Sequence, residues 1–179
     1  MDNEYRLWTH PSAGALRIDG VSAGLTRSGP STLGLEFRVN ALRGVLSLTD
    51  GSGERRNGLW KSTCFELFIG EPLTSEYREF NFSPGGDWAA YHFDGYRAGM
   101  RNEELPMPPE IISDWKTDSL VLNAQLSLHD LSDGSRLNFA AVIDERDFHQ
   151  SLWATDHAEK PDFHARHCFG QELPSLAKP

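Results

Sequence analysis

Hydrophobic and polar positions alternate most clearly between Leu59 and Met100, in three short runs. In the first, Phe65, Leu67 and Ile69 share one side, and Cys64, Glu66 and Phe68 share the other. In the second, Arg78, Phe80 and Phe82 oppose Tyr77, Glu79 and Asn81. In the third, Ala89, Tyr91 and Phe93 oppose Trp88, Ala90, His92 and Asp94. A period of two is the mark of a strand with unlike faces. Ser83-Pro84-Gly85-Gly86 is turn chemistry, and the joint from Gly70 to Ser75 is longer and polar. The pattern predicts a three-stranded antiparallel meander. Glu66, Glu79 and Asn81 fall inside its strands, beside large aromatics, rather than at strand ends.

The same reading extends along the chain. Residues 1–13 read as a loosely held arm or a first edge strand, with Leu7 and Trp8 as anchors. Leu16, Ile18 and Val21 surround Asp19-Gly20 in a strand broken by a bulge or turn. Leu33, Leu35, Phe37 and Val39 alternate with Gly34, Glu36 and Arg38, and residues 41–48 predict the next strand. Residues 50–58, DGSGERRNG, read as a flexible polar loop. Pro106, Pro108 and Pro109 predict an irregular connection over 101–113, because proline removes ladder donors. Alternation returns at 120–128 and 137–143, residues 129–134 form a turn, and a closing strand is expected near 167–173. No amphipathic helix of three or more turns is visible. Short strands at intervals of about 8–12 residues predict an all-β fold, an antiparallel β-sandwich of about ten strands with little helix. One domain over 14–174 is expected, with a tail at 175–179.

Composition narrows the function classes. A chain of 179 residues suits one well-buried core. A net charge of −9 argues against nucleic acid, whose phosphates ask for a basic face, and against an anionic membrane surface. No apolar run approaches the roughly 20 residues that span a bilayer. The opening MDNEYRLWTHPS lacks a basic-then-apolar leader, and the two cysteines, Cys64 and Cys168, make no disulfide framework. A cytoplasmic, reduced protein is the expectation.

Candidate chemistry is sparse. His164 and His167, near Asp162 and Cys168, suggest a metal site, but residues three apart on an extended segment point to opposite faces. There is no Cys-X-X-Cys pair, glycine-rich phosphate loop or Gly-X-Ser-X-Gly elbow. Cys64 shares a face with Glu66, which works against a reactive thiolate. Glu66 and Glu79, on adjacent strands, could serve as a glycosidase pair; a solvated carboxylate, or one paired with Arg78 or Arg97, is the plainer reading. The better signal is aromatic and polar groups on one sheet face. Sugars stack a C–H face on an indole and offer a belt of hydroxyls to carboxylates, amides and guanidinium groups. Trp60 and Trp153 are the candidate planes, although a single Trp more often fills core or rim. Glu66, Glu79, Asn81 and Arg97 are the polar candidates. Arg97 is expected to be partly buried and hydrogen-bonded to Glu66 or Glu79. Two indoles gripping one ring should stand about 7–8 Å apart.

The segments LWKSTCFELFI, YREFNFSPGGDWAAYHFDGYRAGM and the late PDFH…FG resemble the bacterial DOMON-like proteins. Those group with the family-nine carbohydrate-binding modules and the haem- and sugar-binding DOMON superfamily. The resemblance covers about Leu16 to Leu173 and implies an immunoglobulin-like β-sandwich without catalytic activity. In the carbohydrate modules two Trp side chains sandwich a terminal sugar while Glu, Asn, Gln and Arg bond its hydroxyls. By motif position Trp60 matches the first Trp and Glu66 the acidic residue after it. Arg97 matches a downstream Arg, and Trp153 the late Trp. A saccharide partner and no cofactor are thereby implied. Cys64 departs from the modules, which often carry a polar residue there. Haem-binding relatives use Met and His as axial ligands, which would fall to Met100 and His164. A scaffold that binds another protein through a sheet face or edge is the remaining alternative.

Overall fold

The computed structural model describes residues 3–146 and 149–176. Twelve strands make up the fold: β1 (Asn3–Thr9), β2 (Gly20–Gly29), β3 (Thr32–Asn40), β4 (Cys64–Gly70), β5 (Tyr77–Phe82), β6 (Trp88–Phe93), β7 (Arg101–Asn102), β8 (Glu110–Trp115), β9 (Ser119–Ser127), β10 (Arg136–Glu145), β11 (His149–Ala154) and β12 (Gln171–Glu172). The only helical pieces among the described residues are 3-10 turns at Leu59–Lys61 and Arg166–Cys168. No helix is long and apolar enough to cross a membrane.

All strand pairings are antiparallel and form one continuous path, β7-β6-β5-β4-β10-β11-β1-β2-β3-β9-β8, with β12 added to β10. The all-β antiparallel expectation therefore holds. Where the sequence reading placed two sheets of a sandwich, the chain has one sheet curled into a half-barrel. Its two arms meet across a core in which Phe37 of β3 stacks on Phe65 of β4 at 5.1 Å. Tyr5 of β1 stacks on Phe139 of β10 at 4.8 Å. The arms are joined where β1 pairs with β11 through Trp8–Ala154 and Thr9–Trp153.

Three expectations change for local reasons. Residues 3–9 are neither arm nor edge: β1 is hydrogen-bonded on both sides and buries Leu7. Residues 41–48 form no strand, and one buried hook, Leu46, bridges to Glu145. Glu110–Trp115, at the end of the proline-rich passage, is an edge strand on β9, because Pro109 precedes the segment and costs it no ladder bond. Residues 177–179 of the expected tail lie outside the described residues.

The meander β4-β5-β6 is present, with Glu66 opposite Asn81 and Phe68 opposite Glu79. Its odd and even residues serve different clusters. Phe65, Leu67, Ile69, Phe80, Phe82 and Ala90 enter the main core. Cys64, Phe68, Tyr77, Tyr91 and Phe93 join Ala140, Ala154 and Phe169 in a second cluster. That second face is roofed by the chain after β11, and the polar strand residues are on it.

Candidate functional site

Cross-strand rows build the floor. Ala140, Glu66, Asn81 and Ala89 are successive partners across β10, β4, β5 and β6. Alanines flank the two polar side chains, so the sheet is low there and long neighbours stand around it. Glu79, diagonal to Glu66 on the same face, lies within the range over which side chains on neighbouring strands interact. Above the floor is a cavity of about 410 Å³, lined by Trp60, Glu66, Glu79, Phe93, Arg97 and His164 together with Met100, Gln150, Leu152 and Phe163. That size suits a small ligand.

The rim is set by two loops. Residues 50–58, expected to be flexible, are docked: Asp87 Oδ1 accepts from the Ser52 and Glu54 amides at 2.8 and 3.2 Å. Arg55 lies over the Trp88 ring at 4.4 Å and donates to the Ala90 and Glu103 carbonyls. This tether leads into the 3-10 turn that holds Trp60 edge-on to Tyr91, with the indole 40% exposed. On the opposite side, the β6–β7 turn places Arg97 in the left-handed region at φ 50°. The Arg97 amide donates to the Tyr77 hydroxyl, and its Nη2 donates to Asp162 Oδ1 at 2.8 Å. Tyr96 also donates to Asp162, and the His164 amide donates to the same carboxylate.

Electrostatics follow from burial. Glu66 is 3% exposed, and its Oε1 has no hydrogen-bond partner. Burial first, then the neighbouring Glu79, pushes its carboxyl well above the usual range, against a weaker pull from Arg97. Burial also raises Glu79 to about 7, although the Asn81 amide donates to it at 2.8 Å. Burial, followed by Arg97, lowers His164 to about 4, so its ring is neutral at ordinary pH. Cys64, buried beneath both glutamates, has its thiol raised by burial and then by their charge, which leaves it unreactive.

Of the six residues singled out from the sequence, the fold brings Trp60, Glu66, Glu79 and Arg97 around one cavity. Asn81 lies beneath it, fully buried, with Oδ1 unpartnered. Trp153 is elsewhere. It points from β11 into the main core, 6% exposed, with its indole N–H donated to Ser151. The alternation of β11 decides this: Gln150 and Leu152 face the cavity and Trp153 faces away. No second indole therefore stands opposite Trp60. Arg97 also departs from expectation, because its side chain is 53% exposed and its partner is Asp162, with no hydrogen bond to Glu66 or Glu79. Nor do the glutamates pair with Arg78, which is on the other face bonded to Glu71 and Asp130. The sequence suggests Asp162 and His164 only as metal or haem ligands and does not single out Phe163, so none of the three was expected beside the saccharide candidates. The only signal for them was the PDFH segment after a run without alternation.

The haem alternative meets a poor donor set. Met100 and His164 both line the cavity, but His164 Nδ1 is 2.8 Å from the Tyr77 hydroxyl and Nε2 is 3.7 Å from Glu79. Both ring nitrogens face protein groups, and two buried carboxyls share the space, so these residues do not fit an axially ligated haem. His167 is exposed and apart from His164, and no group of three or more metal-ligating side chains converges among the described residues.

The chain is thus all-β, with a cavity lined by a nearly fully buried carboxyl that has no hydrogen-bond partner among the described residues and edged by a half-open indole. No family model matches the sequence, and no curated protein does. Solved structures do match in fold. A proposed carbohydrate-binding protein from Bacteroides uniformis superposes with a TM-score of 0.65 at 17% identity, over 94% of this chain and 84% of its own. A family 9 carbohydrate-binding module from Caldicellulosiruptor kristjanssonii, solved with glucose and with cellotriose, gives TM-scores of 0.50 at 11% identity. The match spans 80% of this chain and 70% or 68% of that module. At these identities the likeness establishes a shared fold.

Proposed function

We propose that this protein binds a saccharide, without catalysis, in the cavity between Trp60 and the 155–170 roof. One observation carries the reading: a nearly fully buried acid, Glu66, lines a cavity whose rim is a half-open indole and has no hydrogen-bond partner among the described residues. A buried polar group without a partner is costly, and a ligand hydroxyl relieves that cost. Trp60 supplies one stacking plane, and Phe93 and Phe163 replace the expected second indole as apolar walls. Glu66 and Glu79 project from one sheet face, whereas a hydrolytic pair must flank the scissile bond, so the arrangement favours holding a sugar over cleaving it. The resemblance of the sequence to the carbohydrate-binding modules and the sugar-bound structural neighbours support the same reading.

The test is a saccharide array followed by calorimetric titration of the full chain. Trp60→Ala should weaken binding by about tenfold or more, roughly the 1–2 kcal/mol of one aromatic stacking contact, with unfolding unchanged. Trp153→Phe should leave affinity intact while lowering stability. An array on which the chain retains no mono- or oligosaccharide overturns the proposal.

A further inference from the structure

We infer that the sugar carries a protonated amine: the cavity is built for an amino sugar whose ammonium sits on Glu66. The inference rests on the saccharide reading and goes on to name the ligand's chemistry.

The neutral polar groups near the floor have their donors spent on protein partners, and the glutamates become pure acceptors once their protons leave. Glu66 lines the cavity and has no hydrogen-bond partner among the described residues; Asn81 Oδ1 is unpartnered too but is fully buried beneath the cavity lining. The Asn81 amide already donates to Glu79, and the Gln150 amide donates away from the cavity, to Asp144 at 2.8 Å. The Tyr77 hydroxyl is held between His164 and the Arg97 amide, and the Tyr91 hydroxyl donates to Asn57 at 2.8 Å. A neutral hydroxyl brings lone pairs that would find few donors here. An ammonium brings three donors and no acceptor, which matches the inventory.

The charges agree. Five titratable groups line this space, Glu66 from β4, Glu79 from β5, and Arg97, Asp162 and His164 from the loops, and the buried Tyr77 hydroxyl bonds to His164. The Arg97 charge is matched by Asp162 at 2.8 Å, and His164 is neutral. The two glutamates therefore have no cation of their own, and a ligand ammonium supplies it through charge-assisted hydrogen bonds. Trp60 at the rim offers its face to the same cation.

Calorimetry of the full chain with glucosamine, glucose and N-acetylglucosamine at pH 6 tests this. Glucosamine should bind at least about tenfold more tightly than either neutral sugar, since charge-assisted bonds are about twice as strong as neutral ones. Its binding should release protons, read from titrations in buffers of different ionisation enthalpy, because the ammonium expels protons held on the glutamate pair. Glu66→Gln should weaken glucose binding modestly and glucosamine binding by at least about tenfold more, which removes the preference, and Glu79→Gln should reduce it. Equal or tighter binding of glucose overturns the amino-sugar inference and leaves the saccharide reading standing. Binding of none of the three overturns the inference, and only a blank array removes the saccharide reading with it.

Discussion

Glu66 and Glu79 make folding itself sensitive to pH. Both carboxyls are raised, so the folded chain holds their protons more tightly than the unfolded chain does. Their favourable contribution is complete below the unfolded value near 4.3 and is lost as pH rises through their folded values, about 7 for Glu79. His164 acts in the opposite direction: its lowered value withdraws stability as pH falls from about 6.5 towards 4. The two effects separate in a difference measurement. Urea unfolding of Glu66→Gln should show a gain of about 1–3 kcal/mol over the parent at pH 8, where Glu79 is above its value of about 7 and its charge no longer has a second buried acid beside it. The gain should vanish at pH 4. A variant less stable than the parent at pH 8 would mean that Glu66 has a stabilising partner after all.

The loop from 50 to 58 behaves as an element in its own right. It meets the β5–β6 turn backbone to backbone: a Cβ on Gly85 would lie 2.5 Å from the Gly51 nitrogen, and one on Gly51 would lie 2.6 Å from the Gly85 oxygen. Gly85→Ala should therefore cost about 2 kcal/mol or more by forcing the backbones apart. It should also weaken ligand binding, because the same loop sets the approach to Trp60; comparing its denaturation midpoint and affinity with those of Trp60→Ala checks both effects. Here the limits of the sequence are plain. Alternation in β4, β5 and β6 assigned each residue to its face, and so placed Glu66, Glu79 and Asn81 together. It could not say which side of β11 Trp153 would take, because LWA is too short a run to show a period. Nor could it show that Asp87 would gather the amides of a glycine-rich loop, or that a roof without periodicity would bring Asp162 and His164 over the floor. Those depend on contacts between segments distant in sequence.

The molecule as a whole closes at a narrow seam, where β1 meets β11 through two residue pairs while β2 holds five more residues of β1. Leu7, buried beside that seam, should be a sensitive point, and Leu7→Ala should cost about 2–5 kcal/mol in chemical denaturation. The division of β4–β6 between two clusters has another consequence, which concerns misfolding. A strand that slipped by one residue would exchange its faces and carry Glu66, or Glu79 and Asn81, into the main core among Phe37, Phe65 and Phe139. Such a register is heavily penalised, because carboxylates there would meet only aliphatic and aromatic side chains. The acidic floor is thus expected to disfavour mispaired strands during folding. Replacing all three with leucine should raise the yield of mispaired, aggregated chain on refolding, read by light scattering against the parent.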